Sequence, residues 1–323
     1  EALGLMFNAH QRAPEREEFA AGIMETLTGL AANNAELALK IAENWQKIEP
    51  DNVFSRRILA GISGMPAESG DDRLYAEKLF DNFAATYDET LERLNPQITA
   101  EFLRQHGAVK GTVLDLGCGT GLAAQALKTA DSIFDGADIS AKMLEAARRK
   151  GVYRSLYQAD VTALLQDMAA GAAVKPIAAT AAAEMPAGTE ANTAVPHNGY
   201  TLIIAFDVFC YMGNLEDVLN AAADLMRQAD GEQAESRKTK AAPSSGNGTP
   251  ELWFTTESAD EERGNDFYLT AAGRYKHRRQ YVEKALHKAG FTEIATYPLT
   301  LRQENGADVP GVLFRAANPG KGG

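Results

Sequence analysis

Cysteine is scarce in this chain. Only Cys118 and Cys210 occur among 323 residues, too few for a disulfide framework, and this points to a reducing, cytoplasmic setting. The five histidines, His10, His106, His197, His277 and His287, are scattered. Without a His-x-x-x-His or Cys-x-x-Cys spacing, the sequence gives no reason to expect a metal. No apolar run approaches the roughly eighteen residues of a membrane span, and no Gly-x-Ser-x-Gly marks a serine nucleophile. Positive charge is in deficit: 32 Lys and Arg stand against 44 Asp and Glu, for a net charge of −12. A nucleic acid would demand a basic stripe to release its counterions, whereas the longest basic cluster, 274–279, is short and broken by Tyr275. The first residues are polar and helical in pattern, unlike a signal peptide. The chain opens on Glu1 rather than Met, so a trimmed N-terminus and a targeting segment stay open.

What is present is a glycine-rich turn. Val113-Leu114-Asp115-Leu116 is an apolar run that enters Gly117-Cys118-Gly119-Thr120-Gly121, and a helix-compatible stretch follows. A buried strand breaking into glycines and then a helix builds a small-ligand site. The glycines admit close approach of backbone, and the helix start offers unpaired N–H groups. The dinucleotide fingerprint requires a further glycine where Leu122 stands, which disfavours a nicotinamide-dependent oxidoreductase. Asp138 lies 23 positions after Asp115, at the end of the next expected strand, where an acid can accept both ribose hydroxyls of an adenosine. Ser140 is placed to cap the following helix.

Strand and helix patterns alternate from residue 112 onward, which predicts an α/β domain whose parallel sheet is covered on both faces. Strands are expected at 112–116, 132–137, 155–158, 201–207, 252–256, 293–298 and 311–315. Residues 168–199 are rich in Ala, Thr, Pro and Gly, and 229–250 are polar with Ser-Ser-Gly-Asn-Gly. Both read as loop insertions. Before the sheet, residues 1–62 read as all-helical, broken at Asn33-Asn34 and at Pro50-Asp51-Asn52. Residues 63–73 read as a linker. Residues 74–110 read as a helical segment with Phe80, Phe83, Ala84 and Tyr87 on one side, either a lid or a core-facing stripe.

Asp115-Leu-Gly-Cys-Gly-Thr-Gly121 with Asp138 resembles the first two motifs of class I S-adenosylmethionine (SAM) dependent methyltransferases. The helical start, with Leu37 to Pro50 similar to a tetratricopeptide helix, and Tyr268-Leu-Thr-x-x-Gly273-Arg274-Tyr275-x-His277 resemble bacterial members that carry such repeats. A plain helical extension is the alternative reading of residues 1–62. The resemblance implies a Rossmann-like sheet of seven strands, mostly parallel with the last antiparallel, over residues 111–317. It implies SAM as cofactor, held by Asp115, Gly117, Cys118, Gly119, Gly121, Asp138, Ile139, Met143, Asp160, Val161 and Phe206. Asp160 also reads as a helix cap.

For catalysis it points to Tyr211, Arg274 and His277. Tyr87, Asp207, Tyr211, Arg274 and His277 are candidates to meet the acceptor, although Asp207 also reads as a cap and Arg274 and His277 as surface and capping residues. The fork of Arg274 suits a planar anion, so the expected acceptor is a small anionic metabolite. Two alternatives are a protein or peptide acceptor docked on the N-terminal helices and a SAM-binding adaptor without turnover. Neither a nucleic acid nor a membrane is an expected partner.

Overall fold

The structure, a computed structural model, describes residues 2–13, 16–68, 70–91, 96–179, 199–238, 249–260, 264–304 and 307–320. Four helices open the chain: α1 (Ala2–Arg12), α2 (Glu17–Asn33), α3 (Ala35–Ile48) and α4 (Val53–Ser63). The breaks fall at the expected residues, and for a local reason. The Asn34 side chain accepts the Leu37 N–H at the start of α3, and Asn52 accepts those of Phe54 and Ser55 at the start of α4, satisfying donors that a helix start leaves unpaired. Helix α4 runs further than the sequence suggested and Asp71 already begins α5 (Asp71–Phe83), so the connection is shorter than the expected linker. Then come α6 (Tyr87–Leu91) and α7 (Pro96–His106).

The alternating part follows as β1 (Gly111–Leu116), α8 (Leu122–Leu127), β2 (Ser132–Asp138), α9 (Ala141–Lys150), β3 (Tyr153–Gln158), α10 (Val161–Ala169) and β4 (Ala178–Ala179). It continues through β5 (Tyr200–Ala205), a 3-10 turn (Phe209–Tyr211), α11 (Glu216–Lys238), β6 (Glu251–Ser258), β7 (Phe267–Leu269), β8 (Tyr275–His277), α12 (Arg279–Lys288), β9 (Phe291–Glu304) and β10 (Ala307–Pro319). All seven expected strands are present. Strands β4, β7 and β8 span only two or three residues each, too short to carry a strand period. Of the expected insertion at 229–250, the first part is helical. Its Ala, Glu, Gln, Arg and Lys are good helix formers, and α11 continues through them; residues 239–248 lie outside the described residues. In the other insertion, Met168 and Ala169 close α10, and 180–198 lie outside the described residues.

The sheet order is β4-β3-β2-β1-β5-β6-β10-β9. Strands β3, β2, β1, β5 and β6 are mutually parallel, and β10 runs antiparallel between β6 and β9. Side chains along β1 alternate between faces with the strand period of two. Leu114 and Leu116 join a core with α10, α11 and α12, while Val113 joins a second core with α7, α8 and α9. Because β2 and β5 flank β1 on opposite sides, the chain reverses its winding there. A crevice therefore opens beyond the carboxyl ends of β1 and β5, where open α/β sheets bind ligands.

The N-terminal helices are fastened to this crevice rather than tethered beside it. Their buried cluster of Ile23, Leu27, Trp45, Phe54 and Ile58 includes Tyr75 of α5 and packs against Tyr211 and Ala271. Arg57, fully buried, pairs with Asp72, donates at 3.1 and 3.0 Å to the Gly273 carbonyl, and lies over the rings of Tyr75 and Tyr275. A buried guanidinium is costly unless its donors are filled, and here every partner belongs to α5 or to the β7–β8 hairpin. Beside it, Gly61 of α4 meets the hairpin so closely that an added Cβ would overlap the Thr270 carbonyl. Gly→Ala inside a helix ordinarily stabilises by up to ~1 kcal/mol, whereas overpacking against backbone costs about 1–3 kcal/mol. Gly61→Ala is therefore expected to lower the melting temperature by several degrees. A melting temperature that rises would show that α4 does not bear on the hairpin.

Candidate active site

The crevice holds a cavity of about 470 Å³ whose walls include Gly117, Gly119, Asp138, Ile139, Asp160, Val161, Phe206 and Asp207. The glycine turn is left-handed at Gly117 (φ 61°), Gly119 (φ 52°) and Gly121 (φ 89°), a conformation that a Cβ disfavours. Asp138 ends β2 and accepts the N–H of Gly119 at 2.9 Å and that of Ser140 at 2.8 Å, one on each carboxylate oxygen. Burial pushes its pKa up to about 6, against the pull of those backbone donors. Each oxygen has a second lone pair, so the carboxylate retains acceptor capacity on the cavity wall. Asp160 both lines the cavity and caps α10, accepting from Thr162 and Ala163 at 3.0 Å.

A lid crosses this end of the sheet. Ser140 donates to Asp81 at 2.5 Å, Thr120 donates to Asp88, and Lys150 pairs with Asp88 at 2.7 Å. These bonds fix α5 and α6 over the glycine turn. Phe80, Tyr87 and Tyr211 line the cavity. Phe80 meets Tyr211 edge-on with centroids 5.0 Å apart, and Tyr87 at 6.2 Å. The aromatic stripe therefore faces the cavity and packs ring on ring at the same time.

The turn after β5 supplies the opposite wall. Asp207 is in the left-handed region (φ 59°), which costs an L-residue about 1–2 kcal/mol, though Asp tolerates it better than most. Its N–H donates to Thr255 Oγ1 at 2.8 Å, and Arg302 holds its Oδ1 at 2.7 Å. Arg302 also pairs with Glu257, and with Glu304 at 2.6 Å; Arg274 pairs with Glu257 at 2.8 Å and with Glu304. Burial opposes the charge of Arg302, but Asp207 and Glu257 hold its pKa above the ordinary guanidinium value.

Several expected site residues stand elsewhere. Asp115 is buried beneath the turn and accepts the Tyr153 hydroxyl at 2.6 Å. Cys118 and Gly121 form the turn's underside, and Met143 is packed into the core with no exposure; none of the four lines the cavity. Arg274 is also off the wall, because Glu257 and Glu304 occupy its fork. His277 sits behind the wall with its Nε2 3.0 Å from the Gly213 carbonyl. Burial lowers its pKa to about 4, so at neutral pH the ring is uncharged, and Nε2–H donates to that carbonyl. Arg274 is therefore not free to receive an anion from the cavity, and the His277 ring does not reach it. Conversely, Asp72, Arg73, Val208, Gly213 and Asp217 line the cavity without having been singled out. Asp72 and Arg73 fell in the expected linker, and only the start of α5 reveals them.

Asp115 titrates in an unusual range. Burial raises its pKa to about 7, so the folded protein holds protons that the unfolded chain releases near pH 4. Stability from this group is fully present below pH 4 and is lost as pH climbs through about 7. The ligand-free protein is expected to lose about 2 kcal/mol from this source between pH 5 and pH 8. Asp115→Asn should flatten that part of the denaturation profile. A variant whose profile parallels the parent's would show that Asp115 is ionised throughout.

Residues 114–231 match a family model described as a methyltransferase domain. No curated protein sequence matches the chain. Among solved structures, the N-methyltransferase NodS from Bradyrhizobium japonicum, in complex with S-adenosylhomocysteine, is 18% identical, with 76% of this chain and 99% of that one covered and a TM-score of 0.45. Magnesium protoporphyrin IX methyltransferase from Synechocystis is 15% identical, with coverage of 86% and 97% and a TM-score of 0.38. Likenesses this distant transfer no substrate. The match to a methyltransferase domain thus covers residues 114–231, the stretch that holds the glycine turn, Asp138, Asp160 and Asp207.

Proposed function

We propose that the protein transfers the SAM methyl group to a small-molecule acceptor inside the lidded cavity. The observation that carries this reading is Asp138, a buried carboxylate with spare acceptor capacity beside a left-handed glycine turn. In this reading Asp138 takes the ribose hydroxyls, Ile139, Asp160 and Val161 take the adenine, and Gly117, Gly119 and Phe206 take the methionine part. SAM supplies a methyl group already activated on a sulfonium. The protein then contributes alignment of the acceptor and exclusion of water, and the ring cluster of Phe80, Tyr87 and Tyr211 suits both tasks.

A small acceptor is favoured over a docked protein because Ile23, Leu27, Trp45, Phe54 and Ile58 of the N-terminal helices face inward, in the cluster that meets Tyr75 and Tyr211, and leave Leu5, Leu37 and Ile48 as the large apolar residues exposed among those described on α1 to α4. Those helices support the lid. Each of α1 to α4 packs on the next, which supports the repeat-like reading of their origin. The two free cysteines, both buried, support a cytoplasmic site of action.

Two measurements test the reading. S-adenosylhomocysteine and SAM should each raise the melting temperature by mass action, and NAD should not. Stabilisation by NAD equal to that by the adenosyl compounds would sink it. Asp138→Ala leaves the ribose hydroxyls without their acceptor, a loss of roughly 1–3 kcal/mol, so calorimetry should show affinity weakened about tenfold or more. Undiminished affinity would place the ribose elsewhere.

A further inference from the structure

Beyond the groups given to the cofactor, the cavity is bounded by Asp207, Tyr211, Tyr87, Phe80, Asp72 and Asp217. Resting on the methyltransferase reading, we propose that the acceptor is a basic amine, methylated on nitrogen, with Asp207 as its anchor.

The charge of the walls comes first. Six carboxylates line the cavity against a single cation, Arg73, whose side chain is exposed. Arg302 is shared among Asp207, Glu257 and Glu304, and Arg274 is divided between Glu257 and Glu304, so the two guanidiniums are already outnumbered by the three carboxylates they hold. An anionic acceptor would meet like charge in a partly desolvated space, where such repulsion is strongest. A protonated amine would meet the opposite.

Asp207 is then suited in detail. Its backbone is fixed through Thr255 and its Oδ1 through Arg302, while among the described residues no group donates a hydrogen bond to Oδ2. One oxygen is thus held and the other is available. The aromatic rings of Tyr87, Tyr211 and Phe80 favour a cation over an anion through their negative faces.

The reaction itself rewards this arrangement. The bound ammonium first releases one proton to solvent; the freed nitrogen lone pair then forms the N–C bond as the C–S bond breaks, and the C–S electron pair stays on sulfur. Positive charge leaves the sulfonium and reappears on the nitrogen of the product, a methylated ammonium. A fixed carboxylate beside that nitrogen stabilises charge that grows in the transition state, which speeds the step rather than only tightening binding.

The test uses pairs of compounds with one skeleton and opposite charge: ethanolamine with glycolate, and phenethylamine with phenylacetate. Binding is measured by calorimetry on the full chain loaded with S-adenosylhomocysteine, and turnover by transfer of labelled methyl from SAM. Within at least one pair the amine should bind at least tenfold more tightly than the acid, and only amines should take label. Asp207→Asn, which keeps a residue tolerant of the left-handed backbone, should remove that preference without altering affinity for S-adenosylhomocysteine. Acids bound as well as amines, no amine bound, or a preference that survives Asp207→Asn would each overturn the proposal. The comparison of pairs in the parent protein decides the matter even where the variant does not fold. Failure to bind S-adenosylhomocysteine at all is a separate result, and it would sink the methyltransferase reading on which this one stands.

Discussion

A carboxylate buried at the end of a parallel strand must find donors, and the rest of the site follows from how Asp138 finds them. Among the described residues its hydrogen-bond partners are the backbone N–H groups of Gly119 and Ser140. To bring the Gly119 N–H to β2, the chain must reverse tightly after β1, and the left-handed φ angles at 117, 119 and 121 are the form that reversal takes. Burial raises the pKa of Asp138 against the pull of those backbone donors. An acid left partly unsatisfied on a cavity wall is one that a ligand hydroxyl can still reach. The same interaction that shapes the turn keeps the site receptive.

The second constraint is the covering of that site. Nothing in a Rossmann-like sheet closes the crevice above its strand ends, so the cover must come from elsewhere in the chain. Here α5 and α6 span it, tied below through Asp81 to Ser140 and through Asp88 to Thr120 and Lys150. Ser140 neighbours Ile139 and Asp138, so the lid is pinned beside the carboxylate it covers. On the far side α5 is held by Arg57, whose donors join α4, Asp72 and the β7–β8 hairpin. The helical start of the chain thus acts on the pocket through packing and one buried cation, without lining its cofactor half.

This division explains what the sequence reveals. The glycine turn, Asp138, Asp160 and the seven main strands are legible because each is local: a strand period, a turn residue, a cap two or three positions away. Asp115 misleads for the same reason, since it occupies the right place in the motif while its side chain points to Tyr153, 38 residues on. Arg274 misleads more deeply. Its residue type suits an anion, but its partners Glu257 and Glu304 are 17 and 30 residues away, and no spacing rule connects them. Arg302, which holds Asp207 across 95 residues, carries no local signal at all. Cap and turn chemistry reads along the chain; ion-pair networks read only across it.

The acceptor side therefore has to be argued from the whole network. Two arginines and three carboxylates, from the turn after β5, the ends of β6 and β9, and the β7–β8 hairpin, carry a net negative charge, and of the five only Asp207 faces the cavity. Burying such a cluster is at best neutral for stability compared with apolar packing. Its use lies in geometry: it fixes Asp207 in a left-handed turn that an isolated loop would leave free. The arginine that seemed ready to receive an anion is instead one of the groups that keep a carboxylate rigid. A rigid, partly unsatisfied anion facing aromatic walls selects its partner by sign before it selects by shape, and the sign it selects is positive.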